Sequence, residues 1–426
     1  MSRCIKLVSY TLRLVSLDRL MRFGPPPLTP SKIVESAELT RHDLSQRLQR
    51  TVNAHLSLPY LPASNPHIKH VMSIYRHSLE EISSLPPIRS AEDNSTLLHA
   101  LETMVDDAAD VIGMFANGFK ESKRYLSEEQ ISSFLNRAIQ SRISLRLIAE
   151  QHLALSKAEP PPSNSRIGIV DKKIKLQKTL EGVLQFAAEL CEGTYGIAPE
   201  WNLLGEVGAE VCFVEMHVSI LQHFKEASLY LDILNLFIIS CKNQKKILHQ
   251  IYFDRGSQKV RVHFAFRATV EHHREVTRST HPSLPPIEVT IAIERPSALG
   301  VNSKDSRDQH LVPNASSPQS MLCIRIRDHG GGIDPQDLPH VFSYAFTTVG
   351  SEKSGQDSMA NQADFDRISY GQESLKSSLG RIAGLGFGLP MARLYCRYFG
   401  GNLELVNMHG IGGGVDSYMT LVVGST

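Results

Sequence analysis

Two glycine clusters near the C-terminus hold the residues best suited to chemistry. The first is Arg327-Asp328-His329-Gly330-Gly331-Gly332-Ile333; the second, about fifty residues on, is Gly384-Leu385-Gly386-Phe387-Gly388-Leu389-Pro390. Glycines at this density let main-chain N–H groups come close to a phosphate chain, and a helix starting at Leu389 would aim its positive end at the same anion. Asp328 can accept a hydrogen bond from an adenine amine. One such cluster most often marks a turn, but the two in this order point to a nucleotide pocket.

Those residues need a sheet to carry them. Alternation in 289–293 and 321–326 predicts antiparallel strands, the second delivering Asp328 to a strand end. Further strands are expected at 211–216, 286–294, 321–327 and 417–423, with a helix over 174–191, which makes an α/β sandwich of one sheet backed by helices. Ahead of it, apolar residues three and four apart in 39–56, 66–82, 95–122 and 127–156 predict four helices. Ser127 with Gln130 reads as an N-cap and its capping-box partner. Glu159-Pro160-Pro161-Pro162-Ser163-Asn164-Ser165 reads as a linker. The polar stretches 296–320 and 350–379 are expected to be a hairpin insertion and a nucleotide lid.

At this point the chain resembles the GHKL ATPase superfamily, whose pocket combines an Asp-x-Gly-x-Gly box with a Gly-x-Gly-x-Gly box. Phe346-Thr347-Thr348 and Leu385-Gly386-Phe387-Gly388-Leu389-Pro390-Met391-Ala392-Arg393-Leu394-Tyr395 are similar to the mitochondrial kinases of α-keto acid dehydrogenase complexes. Ser141-Arg142-Ile143-Ser144-Leu145-Arg146 resembles the signature of their regulatory bundle, and Arg267-Ala268-Thr269-Val270-Glu271 the end of their first nucleotide-contacting helix. The resemblance implies an α+β fold, a four-helix bundle followed by a GHKL-type sandwich. It divides the chain into a transit peptide (1–30), a docking bundle (31–158) and a kinase domain (159–426) with an unmatched insert at 219–263. It implies that Asp328 contacts adenine, that Gly330, Gly332, Thr347 and Thr348 line base and ribose, that Gly384, Gly386, Gly388 and Leu389 wrap the phosphates, and that Arg267 closes the edge. ATP and Mg²⁺ would be the cofactors.

The implied activity is a protein serine kinase of the mitochondrial matrix. It would phosphorylate and inactivate the decarboxylase component of the pyruvate or branched-chain complex, dock on the lipoyl domain and form a homodimer. One part of the pattern is broken. The family orients its acceptor hydroxyl with a Glu and holds Mg²⁺ with an Asn four residues later, one face of one helix. Counting back from Arg267, those positions hold Val260 and Phe264, so no catalytic or metal-ligating residue is assigned. The segment 219–263 is expected to be translated non-coding sequence in place of the true helix. The alternatives are a catalytically inactive paralogue acting as a scaffold and, more remotely, a histidine kinase or chaperone-type ATPase; His152 followed by Leu153 argues against the histidine kinase.

The totals agree with a multidomain globular chain: 426 residues, 42% hydrophobic, 21% charged, formal charge +1. No basic block gives a nucleic-acid footprint, and no apolar run reaches the length of a membrane span. Six cysteines without a Cys-x-x-Cys pair fit a reducing compartment, and His272 and His273 are expected at the surface. Residues 1–24 carry five basic residues and one acid among Leu, Ile and Val, which reads as a transit peptide or a basic amphipathic helix.

Overall fold

The structure is a computed structural model and describes residues 14–156, 165–214, 264–295, 319–344, 387–408 and 413–424. After a short α1 (Leu17–Met21), the helical half comprises α2 (Pro30–Leu56), α3 (Tyr60–Ser64), α4 (Pro66–Ser84), α5 (Ala91–Asp107), α6 (Val111–Ser122) and α7 (Glu128–Ser156). Local signals set the ends. Pro30 and Pro66 sit in the first turns of α2 and α4, where a missing N–H costs nothing. Ser90 and Asp93 cap α5 reciprocally. At α7, Ser127 Oγ accepts from the Gln130 N–H (3.2 Å) while Gln130 Oε1 accepts from the Ser127 N–H (2.9 Å), as the capping box predicts.

The helix expected over 95–122 is two helices broken at 108–110. Alanines there give no sequence signal for a break. The carbonyls that the break frees are taken by Arg142 of α7, whose Nη2 donates to Ala108 O (2.8 Å) and Ala109 O (3.3 Å). Leu44, Leu48, Ile68, Leu97, Leu101, Phe115 and Leu135 fill the bundle core. Beside them runs a buried polar file: the Ser36 hydroxyl donates to His152 Nδ1 (3.0 Å), and His152 Nε2–H donates to Asn94 Oδ1 (2.8 Å), the tautomer that satisfies both partners.

The second half contains β1 (Arg166–Ile167), β2 (Val170–Lys175), α8 (Leu176–Tyr195), β3 (Trp201–Gly205), β4 (Glu210–Val214), α9 (Phe264–Thr277), β5 (Ile287–Glu294), β6 (Gln319–Arg327), α10 (Gly388–Tyr398), β7 (Leu403–Asn407) and β8 (Val415–Gly424). They form an eight-stranded sheet in the order β1-β2-β4-β8-β6-β5-β3, with β7 also on β8. Among the described residues only the β3–β5 pairing is parallel. β6 and β8 pair over their whole length, from Gln319 opposite Gly424 to Arg327 opposite Asp416. The inward residues Ile287, Val289, Ile291, Leu322, Ile324, Met419 and Leu421 are buried. The molecule is thus α+β, a helical bundle followed by a sheet domain. Strands β1, β2, β3 and β7 were not expected from the sequence.

The boundary expected at residue 30 falls inside folded structure. Val15 and Leu20 are buried in the common core, and Gln151 of α7 donates to the Leu20 carbonyl (2.7 Å). A basic amphipathic stretch reads alike in a leader and in a short packed segment. The insert 219–263 and both polar stretches lie wholly or almost wholly outside the described residues.

His152 generates a pH prediction. Burial lowers it to about 4 from its ordinary 6.5. The neutral form therefore stabilises the fold fully above pH 6.5, and that contribution is lost as pH falls toward 4. Thermal melts should lose on the order of 2–3 kcal/mol across this window, and His152→Gln should flatten that part of the profile.

Candidate nucleotide site

The site is built where β6 ends. Arg327 donates to both oxygens of Asp416 (Nε to Oδ1 and Nη2 to Oδ2, each 2.8 Å), fixing the register of β6 on β8 one residue before Asp328. These hydrogen bonds hold the Asp416 carboxyl below the usual carboxylate range and raise the Arg327 guanidinium. Asp328 itself is 8% exposed. Its Oδ1 accepts from the N–H groups of Gly330 (2.9 Å) and Val415 (3.1 Å). Burial nevertheless raises its pKa, since desolvation outweighs the two donors.

The glycine box that follows is pinned on three sides. The His329 N–H donates to Thr269 Oγ1 of α9 (3.2 Å), the Gly331 N–H to the Gly413 carbonyl (2.8 Å), and the Ile333 N–H to Asn407 Oδ1 of β7 (2.9 Å). Asn407 Nδ2 donates back to the Ile333 carbonyl (2.6 Å). Gly331 and Gly332 take φ of +81° and +91°, a region that side chains disfavour. At Gly330 a Cβ would lie 2.4 Å from the Ala268 Cβ, so the loop lies directly on α9.

The second glycine box is described only at its end. Gly388 opens α10, one residue earlier than expected, and Leu389 follows it. Phe387 is buried and meets the Tyr344 ring edge-on at 5.1 Å, so the segment after the first box returns to the foot of α10. Tyr344 Oη in turn donates to Asn136 Oδ1 of α7 (2.8 Å). Thr347, Thr348, Gly384 and Gly386 lie outside the described residues, as does Val260. Arg267 lies on α9, where its backbone alone is described, and Phe264 is the first residue of that helix.

Five residues of the site were not foreseen: Thr269, Asn407, Gly414, Val415 and Asp416. Thr269 falls within the string 267–271, and Gly414, Val415 and Asp416 within the glycine-rich string 409–416, which by sequence reads as a turn and assigned none of them a role. Glu271 accepts from Tyr195 Oη (2.7 Å). His272 and His273 are half-buried rather than at the surface: His272 lies beside Gly331, and His273 donates from Nδ1 to the Thr269 carbonyl (2.8 Å). Among the described residues no cluster of three or more His, Cys, Asp or Glu is arranged to hold a metal ion.

A carboxylate at a strand end and a glycine loop pinned between helix and sheet make up the candidate site. A family description, "Mitochondrial branched-chain alpha-ketoacid dehydrogenase kinase", matches residues 14–171. The mitochondrial pyruvate dehydrogenase (acetyl-transferring) kinase of Arabidopsis thaliana is 24% identical over 96% of this chain and 89% of its own length. That of Schizosaccharomyces pombe is 25% identical over 97% and 94%, and isozyme 4 of Mus musculus 24% over 93% and 81%. Over most of its length the chain is therefore similar to mitochondrial pyruvate dehydrogenase kinases, and over residues 14–171 to the branched-chain kinase description.

Close packing here is testable. A Cβ at Gly414 would lie 2.0 Å from the Asp328 carbonyl oxygen, whereas one at Gly208 meets nothing within 4 Å. Gly414→Ala should cost roughly 1–3 kcal/mol in denaturant unfolding, and Gly208→Ala should leave the midpoint unchanged.

Proposed function

We propose that this chain is a kinase of a mitochondrial α-keto acid dehydrogenase complex, of matrix location, whose nucleotide half is intact and whose catalytic half is damaged. One observation carries the nucleotide reading. Oδ1 of Asp328 is committed to two main-chain donors, while Oδ2 makes no hydrogen bond among the described residues. An accessible carboxylate oxygen on a side chain whose other oxygen is held by main-chain donors suits an adenine amine. On this reading Gly330, Gly332, Thr347 and Thr348 line base and ribose, Gly384, Gly386, Gly388 and Leu389 wrap the phosphates, and Arg267 closes the edge. The domain limits become a leader ahead of residue 14, a docking bundle to 158 and the kinase domain beyond.

The metal half does not fit. Phe264 stands where the family's Mg²⁺ ligand would be, and a phenyl ring donates nothing to a hard cation. Val260 likewise cannot orient or deprotonate a serine hydroxyl. No phosphoryl-transfer step is therefore derived for the chain as written. The replacement of the family's helix by 219–263 is read as translated non-coding sequence, and a transcript lacking that stretch would support it. A second reading, an inactive paralogue that docks on the lipoyl domain as a homodimeric scaffold, is favoured by the same Phe264.

Two measurements separate these readings. Isothermal calorimetry should detect ADP uptake by the chain. In Asp328→Asn an amide N–H would face the adenine amine, donor against donor, and affinity should fall about ten- to a hundredfold without loss of melting temperature. Purified dehydrogenase complex should be phosphorylated more than about a thousandfold faster by the doubly repaired Val260→Glu, Phe264→Asn chain than by the original. Continued silence of the repaired chain, with lipoyl-domain binding retained, would favour the scaffold.

A further inference from the structure

The segment 14–22 touches more of the molecule than its length suggests. Its Val15 N–H donates to Tyr398 Oη at the C-terminal end of α10 (3.1 Å). Tyr398 Oη lies 2.8 Å from Ser144 Oγ of α7, and the Ser144 hydroxyl donates to the Gln140 carbonyl (3.0 Å). Each hydroxyl has one proton, so the direction of the chain is set: Val15 N–H to Tyr398 O–H to Ser144 O–H to the Gln140 carbonyl. Farther along, Arg19 pairs with Asp43 of α2 (2.7 Å), and Asp43 also holds the buried Arg47 (3.1 Å). The Leu20 carbonyl accepts from Gln151 of α7, and Met21 Sδ lies 3.9 Å from the Cys212 thiol of β4. Nine residues thus bind two bundle helices, one strand and the helix that opens at Gly388.

That helix is held to α7 at both ends. Its foot is tied through Phe387, Tyr344 and Asn136, its far end through Tyr398 and Ser144. Asn136 and Ser144 are eight residues apart, about 12 Å along an α-helix. α10 spans eleven residues, about 16 Å on the same scale. The two ties therefore fix both the axial position and the tilt of α10. With residues 14–22 in place Tyr398 is 3% exposed, its oxygen accepting from the Val15 N–H while its proton goes to Ser144, so the segment both covers the upper tie and adds a second bond to it.

We propose that residues 14–22 form a strap that positions α10, with Tyr398 as the positioning residue, and thereby tunes how firmly the start of that helix at Gly388 meets a nucleotide. The proposal rests on the nucleotide reading given above. It carries a corollary for maturation: proteolytic shortening that stops ahead of residue 14 leaves the site tight, and shortening past Val15 loosens it.

The test compares the full chain, a chain lacking 1–13, a chain lacking 1–24, and the Tyr398→Phe variant. ADP affinity is read by calorimetry and amide exchange by mass spectrometry. Loss of 1–13 should change neither. Loss of 1–24 and Tyr398→Phe should each weaken ADP about three- to tenfold, the worth of one buried hydrogen bond, and speed exchange in 389–398 by a similar factor. Amides of α4 and α5 should keep their protection, which a general loss of stability would not allow. Equal α10 exchange with and without 14–24 overturns the strap; should the shorter chain not fold, equal exchange in Tyr398→Phe does so. If the full chain takes up no ADP, the nucleotide reading fails together with the claim about grip, while the exchange comparison still decides whether the strap mounts α10.

Discussion

The seating of one carboxylate organises the second half of this molecule. Asp328 is drawn almost wholly out of water, and its Oδ1 is met by main-chain donors from its own loop and from the first residue of β8. Hydrogen bonds to a charged acceptor are about twice as strong as neutral ones, yet here desolvation still prevails and the pKa rises. The cause of the rise is burial, and rigid surroundings keep the carboxylate in its buried seat. The full-length pairing of β6 with β8, the Arg327 fork on Asp416 and the contact of Gly414 with the Asp328 carbonyl supply that rigidity.

The two halves of the chain are joined by the same logic of few, buried, directional contacts. α7 carries the core of the bundle on one side and receives Tyr344 and Tyr398 from the sheet domain on the other. Both tyrosines are buried, and burial raises both phenols, so they serve as neutral hydroxyls. Their bonds lie at either end of the helix that starts in the second glycine box. A displacement of α7 is therefore felt at both ends of α10.

How much of this could be read from the sequence depends on how much of each element faces the core. β5, β6 and β8 alternate cleanly because one face is buried, and their positions were predictable to within two residues. β2, with the composition Val-Asp-Lys-Lys-Ile-Lys, and β3, an edge strand with no fully buried residue, carry too little apolar signal to declare themselves. The first glycine box was readable because its Asp and glycines are adjacent in sequence. Asn407, Gly414 and Asp416 were not, since they join Asp328 only after the chain has gone through α10 and back. The break between α5 and α6 was hidden for another reason: its cause is a guanidinium more than thirty residues away.

That guanidinium has a mechanical consequence. Because Arg142 reaches across to two main-chain carbonyls left exposed by the α5–α6 break, α7 is keyed to its neighbours like a shaft with a pin through it. Turning or sliding α7 alone would withdraw that donor from both oxygens and leave the Ala108 carbonyl only the 3.5 Å bond from the Val111 N–H. The bundle therefore conveys a push along its length instead of absorbing it by slippage, and a force applied at one of its ends arrives at the other.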